Sequence, residues 1–308
     1  MASRPGAIGL PEFSQFAVVL MWASTFIITK DVLETISPLA FVFARFVLIA
    51  ALSVAVLAIR GWRGGWRTYW HIDRADVPRF ATAGLFGYTI YQLGFTIGLD
   101  HASPFASSLL IAMMPLFSLA LITFLGERPH WSAWLGVGVA VAGVAIFLLD
   151  RTEGTSAPGV ALSLMAAVSF ATYGVINRPL VLRYPQETVA AYATLMGAVP
   201  LCLIALPEAL DQDWDSVGTS SWLTIVYMSI FPVYVAYMMW NWAIRQRGVS
   251  ATGWSLLVPV VSGVLSALFL GESLGPLKVA GGALAILGLV LMRPRPAGMS
   301  TPAREAAR

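Results

Sequence analysis

Two stretches of the chain place aromatic and polar side chains along one face of a helix. Tyr88, Tyr91, Gln92 and Phe95 fall at i, i+3, i+4 and i+7, and Tyr234, Tyr237, Met238 and Asn241 repeat that spacing, so each set forms a single stripe. Trp22, Phe26 and Thr29 make a similar face upstream, Ser169 and Tyr173 make another, and Trp254 and Ser255 lie one turn before Pro259. Rings in such stripes pack apolar groups and attract ammonium, while Gln92 or Asn241 can hydrogen-bond a carboxylate. This is binding chemistry, suited to small zwitterions or amphipathic metabolites. The competing reading is ordinary helix packing and an interfacial aromatic belt. Trp22, Phe26, Tyr88, Tyr91, Gln92, Phe95, Tyr173, Tyr234, Tyr237, Asn241 and Trp254 are the candidate ligands, with Tyr91, Gln92, Tyr237 and Asn241 favoured by their mid-span positions.

Catalytic constellations do not emerge. The 16 carboxylates and 3 histidines all lie outside the apolar runs or near their ends, so none stands ready to activate a serine or to complete a metal set within them. The single cysteine, Cys202, has no partner for a disulfide. No enzyme, metal or cofactor is expected. Arg45 is the one basic residue left inside an apolar run, seven residues past Pro38, or about 10 Å into a helix rising about 1.5 Å per residue. It is either a ligand for a substrate carboxylate or a gate, or, the preferred reading, a structural group whose long chain returns to helix-end carbonyls. Glu127 and Glu272 are likewise read as fixing loops.

The elements that must hold these residues follow from composition. The chain has 308 residues, 58% hydrophobic and 11% charged, with a mean hydropathy of +0.76, whereas soluble domains carry about 25% charge. A net charge of +3 from scattered arginines is not a nucleic-acid-binding stripe. Apolar runs predict ten membrane helices, at residues 14–30, 39–59, 80–99, 103–125, 132–149, 159–178, 188–206, 220–244, 250–271 and 277–292. Between them, residues 60–79 carry Trp62, Trp66, Tyr69 and Trp70 and suit an interfacial segment. With the N-terminus cytoplasmic, fifteen basic residues fall inside and three outside, which by the positive-inside rule places both termini in the cytoplasm.

The halves of the chain repeat at an offset near 145. Phe124-Leu125-Gly126-Glu127 returns as Phe269-Leu270-Gly271-Glu272, and a stripe of Gly136, Ala140 and Gly143 returns as Gly281, Ala285 and Gly288. Five helices per copy is an odd number, so the second copy enters the membrane from the opposite side, as in carriers built on inverted repeats. The expected architecture is an all-α membrane protein of ten transmembrane helices in two inverted five-helix repeats, residues 1–151 and 152–308. Pro115, Pro232 and Pro259 should kink their helices, and they act either as hinges or as static bends. The small-residue stripes suit close helix packing, within one chain or between chains.

Two copies that each end in a Gly-Glu pair before a glycine-bearing last helix, with Trp22 and Phe26 in the first helix and Pro38 and Arg45 at the second, resemble the EamA-type branch of the drug/metabolite transporter superfamily. The resemblance implies a bacterial inner-membrane exporter of amino acids, aromatic ones among them, or of similar small metabolites. It also implies a substrate cavity among helices 1 to 4 and 6 to 9, with helices 5 and 10 peripheral. A multidrug or toxic-cation exporter of the same fold is the alternative. Small four-helix multidrug members depend on a membrane glutamate in the first helix; this one reads Trp22-Ala23-Ser24-Thr25-Phe26, so alternating access without strong ion coupling is expected. The partners are then a small-molecule substrate and membrane lipid, with no nucleic acid, and the protein is a monomer with a dimer as the alternative.

Overall fold

The computed structural model describes residues 9–150, 154–236, 239–240, 242–243 and 254–292. The described residues form α1 (Leu10–Val32), α2 (Pro38–Gly64), α3 (residues 77–100), α4 (Pro104–Phe124), α5 (Trp131–Leu149), α6 (Ala157–Arg183), α7 (Gln186–Asp211), α8 (from Thr219–Val235 onward), α9 (Trp254–Leu270) and α10 (Pro276–Leu291). Each stands on one of the ten expected spans. Six of them, α1, α2 and α4 to α7, are individually long and apolar enough to cross a membrane.

Local chemistry sets the ends. α2, α4 and α6 open on a serine whose hydroxyl accepts from the backbone N–H three residues on: Ser37 from Ala40, Ser103 from Ala106 and Ser156 from Gly159. A proline follows each serine within two residues, where its missing N–H costs nothing. The corners after α4 and α9 turn at Gly126 (φ +93°) and Gly271 (φ +66°). Side-chain-bearing residues rarely adopt that conformation, and this explains the glycine of each Gly-Glu pair.

The repeats interlock rather than stand apart. α2 packs along α7 and α5 along α10, while α1 leaves its own repeat to pack on α9 and α6 crosses to α3 and α4. The small-residue stripes therefore pack within the chain: Gly143 lies against Ala285 and Gly281, and Gly288 against Ala140 and Gly136. Tryptophan-rich residues 60–79 lie across the arginine-rich end of the bundle. A short helix, Trp66–Trp70, is tied down by Trp70 Nε1 donating to the Leu57 carbonyl (3.0 Å) and by the Tyr192 hydroxyl donating to the Trp70 carbonyl (2.8 Å). Arg60 pairs with Glu187 at 2.5 Å, and Arg183 with Asp76 at 2.7 Å and with Asp73. The Tyr184 hydroxyl donates to Asp76 (2.7 Å). Burial and this carboxylate neighbourhood hold the Tyr184 phenol above its ordinary pKa, keeping it a donor.

The prolines act differently from simple kinks. α4 stops at Ile111, turns through Ala112 and Met113, and resumes at Met114 with Pro115 in its new first turn. In α9 a tight 3-10 stretch, residues 254–257, precedes an α-helix from Val258 whose first turn holds Pro259. Both prolines thus occupy positions where no helical N–H is lost. Pro232 lies in a π turn, Phe231–Val235. A second π turn, Leu85–Ile90, interrupts α3 without any proline.

Candidate substrate site

The two π turns are repeat mates, since Leu85 and Phe231 are 146 positions apart. Each carries one of the candidate tyrosines, Tyr88 or Tyr234. Widening a helix to i→i+5 bonding leaves carbonyls short of partners, and here the other repeat supplies them. Ser169 of α6 donates to the Phe86 carbonyl at 2.6 Å, and Trp22 Nε1 of α1 donates to the Pro232 carbonyl at 3.2 Å. Phe86 and Pro232 are again 146 apart, and Trp22 and Ser169 are 147 apart. The first helix of each repeat thus braces the π turn of the other. Removing either donor, by Ser169→Ala or Trp22→Phe, is expected to cost about 0.6 kcal/mol, the average for hydrogen bonds between membrane helices, and no more than about 1.7 kcal/mol through the bond itself. Unfolding of the two variants in mixed detergent micelles checks this.

Around these turns five of the predicted rings, Phe26, Phe95, Tyr91, Tyr173 and Tyr88, join through Phe170 into one continuous chain that ends on Phe46. Centroid separations are 5.3 Å from Phe26 to Phe95, 6.0 Å from Phe95 to Tyr91, 5.0 Å from Tyr91 to Phe170, 5.4 Å from Phe170 to Tyr173, 5.9 Å from Tyr173 to Tyr88 and 6.4 Å from Tyr88 to Phe46. Most pairs are edge-on or tilted, as aromatic quadrupoles prefer. Phe26 and Phe95 are buried, whereas Tyr88, Tyr91, Gln92 and Tyr173 keep partial exposure. Trp22 and Tyr234 form a second group on the α8 side: Trp22 packs on Trp240 at 5.0 Å, and the Tyr234 hydroxyl meets the Ser53 hydroxyl at 2.7 Å. Trp254 is half-buried at the start of α9. Tyr237 and Asn241 lie outside the described residues.

Phe170, Phe46, Ser53 and Trp240 belong to this assembly although the stripes did not single them out. Phe170 stands three residues before Tyr173, so the same helical spacing could have found it; Ser53 had no comparable signal. Among polar groups, Gln92 Oε1 is buried without a hydrogen-bond partner, as are Thr29 Oγ1, Thr96 Oγ1 and Nε and Nη1 of Arg45. The return of Arg45 to helix-end carbonyls is therefore not made through Nε or Nη1. Its guanidinium lies over the Phe41 ring, 5.2 Å from the centroid, beside Tyr91.

The two Gly-Glu corners, alike in sequence, differ in environment. Glu272 is buried, its side chain 7% exposed, and holds Lys278 at 3.1 Å, itself 4% exposed. It also accepts from the Ser103 and Ser266 hydroxyls, each at 2.5 Å. Because Ser103 caps α4, this cluster ties the α9–α10 corner to the first repeat. Nearby, Lys30 Nζ at the end of α1 donates to the Leu99 and Asp100 carbonyls at 2.9 and 2.7 Å. Glu127, at the arginine-rich end, is 55% exposed and meets a 71% exposed Arg178 at 3.2 Å. The two stand at a cleft of about 330 Å³ between α4 and α6, lined also by Ser118, Ile122, Leu125, Gly174, Val175 and Pro179. This cleft is at the bundle end and is not the aromatic assembly.

The model of the EamA-like transporter family matches residues 11–149 and again residues 157–293. The chain belongs to that family, and it is a multi-pass membrane transporter of ten helices in two inverted repeats. Among its relatives, a probable terminal-alkyne amino-acid exporter of Streptantibioticus cattleyicolor is 33% identical over 236 residues, covering 75% of this chain and 79% of the relative. A probable amino-acid metabolite efflux pump of Escherichia coli is 25% identical over 306 residues, covering 94% and 95%. A crystal structure at 24% identity superimposes with a TM-score of 0.62 over 91% of this chain and 95% of the other, a likeness of fold alone.

Proposed function

We propose that the protein exports amino acids or similar small metabolites across the inner membrane by alternating access, without strong ion coupling. The observation that carries this reading is the unequal state of the two Gly-Glu corners. An inverted repeat exchanges the conformations of its halves between inward-facing and outward-facing states, so equivalent corners in opposite states are what one such state requires. The closed corner, around Glu272, lies on the face opposite the arginine-rich one, and the open cleft at Glu127 lies on the arginine-rich face. With both termini cytoplasmic, as the positive-inside count favours, the looser corner faces the side from which an exporter takes up its cargo. Residues 1–151 and 152–308 are then the exchanging units, and the breaks at Pro115 and Pro259 with the π turn at Pro232 are the hinges. The cargo class rests on the aromatic chain beside the unpartnered Gln92 and on the amino acids in the names of two relatives. One chain suffices for this cycle.

Counterflow in proteoliposomes tests the reading. Vesicles loaded with unlabelled amino acids, at equal pH on both sides, are expected to accumulate labelled methionine, phenylalanine or threonine. Tyr91→Ala and Gln92→Ala should each lower the rate at least about tenfold through lost contacts to the substrate, with the protein still monodisperse. Silence across the panel, together with conferred resistance to cationic compounds, would overturn the cargo assignment in favour of a multidrug exporter.

A further inference from the structure

Arg45 is buried to 4% exposure inside the bundle, yet Nε and Nη1 find no acceptor. A guanidinium stays charged and offers five N–H groups in a planar fork. Left unpaired away from water, such a group is strongly unfavourable, so an acceptor that arrives during the working cycle explains its position better than a structural role does. The surroundings indicate which acceptor. Among the described residues no carboxylate pairs with it; its guanidinium lies over the Phe41 ring and interacts electrostatically with the Tyr91 phenol. On α3, which packs against both α1 and α2, Gln92 Oε1 lacks a donor, as do the buried hydroxyl oxygens of Thr96 and of Thr29 on α1. A cation with two unsatisfied nitrogens and several unsatisfied oxygens thus lie on three neighbouring helices. A lone anion would satisfy the first and leave the others wanting. A zwitterion satisfies both, its carboxylate on the Arg45 fork and its ammonium on Gln92 and the faces of the Tyr91 and Phe95 rings.

We propose that Arg45 is the carboxylate-recognition residue of the substrate site and that it restricts the cargo to molecules with a free carboxylate beside an ammonium group. This deepens the amino-acid reading above and rests on it. The fork donates through two parallel bonds, so a carboxylate is preferred over a neutral carboxamide, which has a single acceptor oxygen and no charge.

The test compares each transported amino acid with its primary amide, using methionine and phenylalanine against methioninamide and phenylalaninamide. Two readouts serve: competition in counterflow, and ligand-induced thermal stabilisation of the detergent-solubilised protein. The wild-type protein is expected to bind the acid at least about tenfold more tightly than the amide, the size of one charge-assisted bidentate contact. In Arg45→Gln the ratio should fall below about threefold while affinity for the amide is retained; Arg45→Lys, which keeps the charge and loses the fork, should fall between. If Arg45→Gln does not fold, the wild-type ratio decides, and a ratio near one overturns the proposal. A wild-type ratio persisting in Arg45→Gln overturns it as well. In both cases the amino acids are still carried, so the exporter reading survives. Failure of every amino acid to bind or exchange overturns that reading, and this proposal with it.

Discussion

Replacing Lys278 with methionine is expected to lower stability by about 3–5 kcal/mol, the cost of stranding one charge of a buried pair. Lys278 and Glu272 are both nearly inaccessible and 3.1 Å apart. The Ser103 and Ser266 hydroxyls donate to the same carboxylate, and the Ser273 carbonyl accepts from the ammonium at 3.2 Å. Without the lysine, the described hydrogen-bond donors to the carboxylate side chain are the two hydroxyls, with Lys30 a more distant cation. A second substitution, Glu272→Gln, removes the stranded charge, and the double variant should recover most of the loss because the amide accepts from one serine through Oε1 and donates to the other hydroxyl through Nε2. The equivalent corner of the first repeat sets the contrast. Glu127 and Arg178 are solvated, so Arg178→Met should cost less than about 1 kcal/mol. Unfolding in mixed micelles measures all three. A Lys278→Met loss as small as that of Arg178→Met would mean that the Glu272 corner is wet, and the closed face of the proposed cycle would lose its support.

That contrast marks where sequence reasoning ends. The Gly-Glu pairs were legible as repeat mates, and the positive φ at Gly126 and Gly271 accounts for their glycines in local terms. Whether the following glutamate is buried depends on which repeat is swung against the other, and two like sequences carry no trace of that choice. The ten spans were legible because hydrophobic length is a local property, and the Ser-Pro starts of α2 and α4 sharpen their ends. The π turn at Leu85–Ile90 was not legible. No proline or charge marks it, and the Ser169 hydroxyl that satisfies its Phe86 carbonyl is 83 residues away. The aromatic stripe on α3 was visible at helical spacing, but its continuation through Phe170 to Tyr173 arises only because α6 crosses into the other repeat. Arg45 shows the same limit. Its cost in the membrane could be read from position, but the lack of an acceptor at Nε and Nη1 required the packed neighbours.

Gly143→Leu is expected to be the most damaging of the small-residue substitutions, costing about 3 kcal/mol or more by overpacking. α5 and α10 approach so closely that even a Cβ at Gly143 would lie 2.7 Å from the Ala285 Cα and 2.8 Å from the Gly281 carbonyl. The opposing atoms are backbone, which cannot rotate aside, so the helices must separate and the matching contacts of Gly136, Gly281 and Gly288 are lost with them. Gly138, on the outer side of the same helix, has nothing within 4 Å of its Cβ position, and Gly138→Leu should leave stability within about 0.5 kcal/mol of the parent. The pair also separates the two uses of a small-residue stripe. If the stripe joins α5 to α10 of one chain, the Gly143→Leu loss is independent of protein concentration in the micelle. An interface between chains would make the loss grow on dilution of the parent protein and vanish where the parent is already dissociated. Because each stripe residue already meets its counterpart inside the chain, the concentration-independent result is expected, with α5 and α10 packed on each other within a single chain.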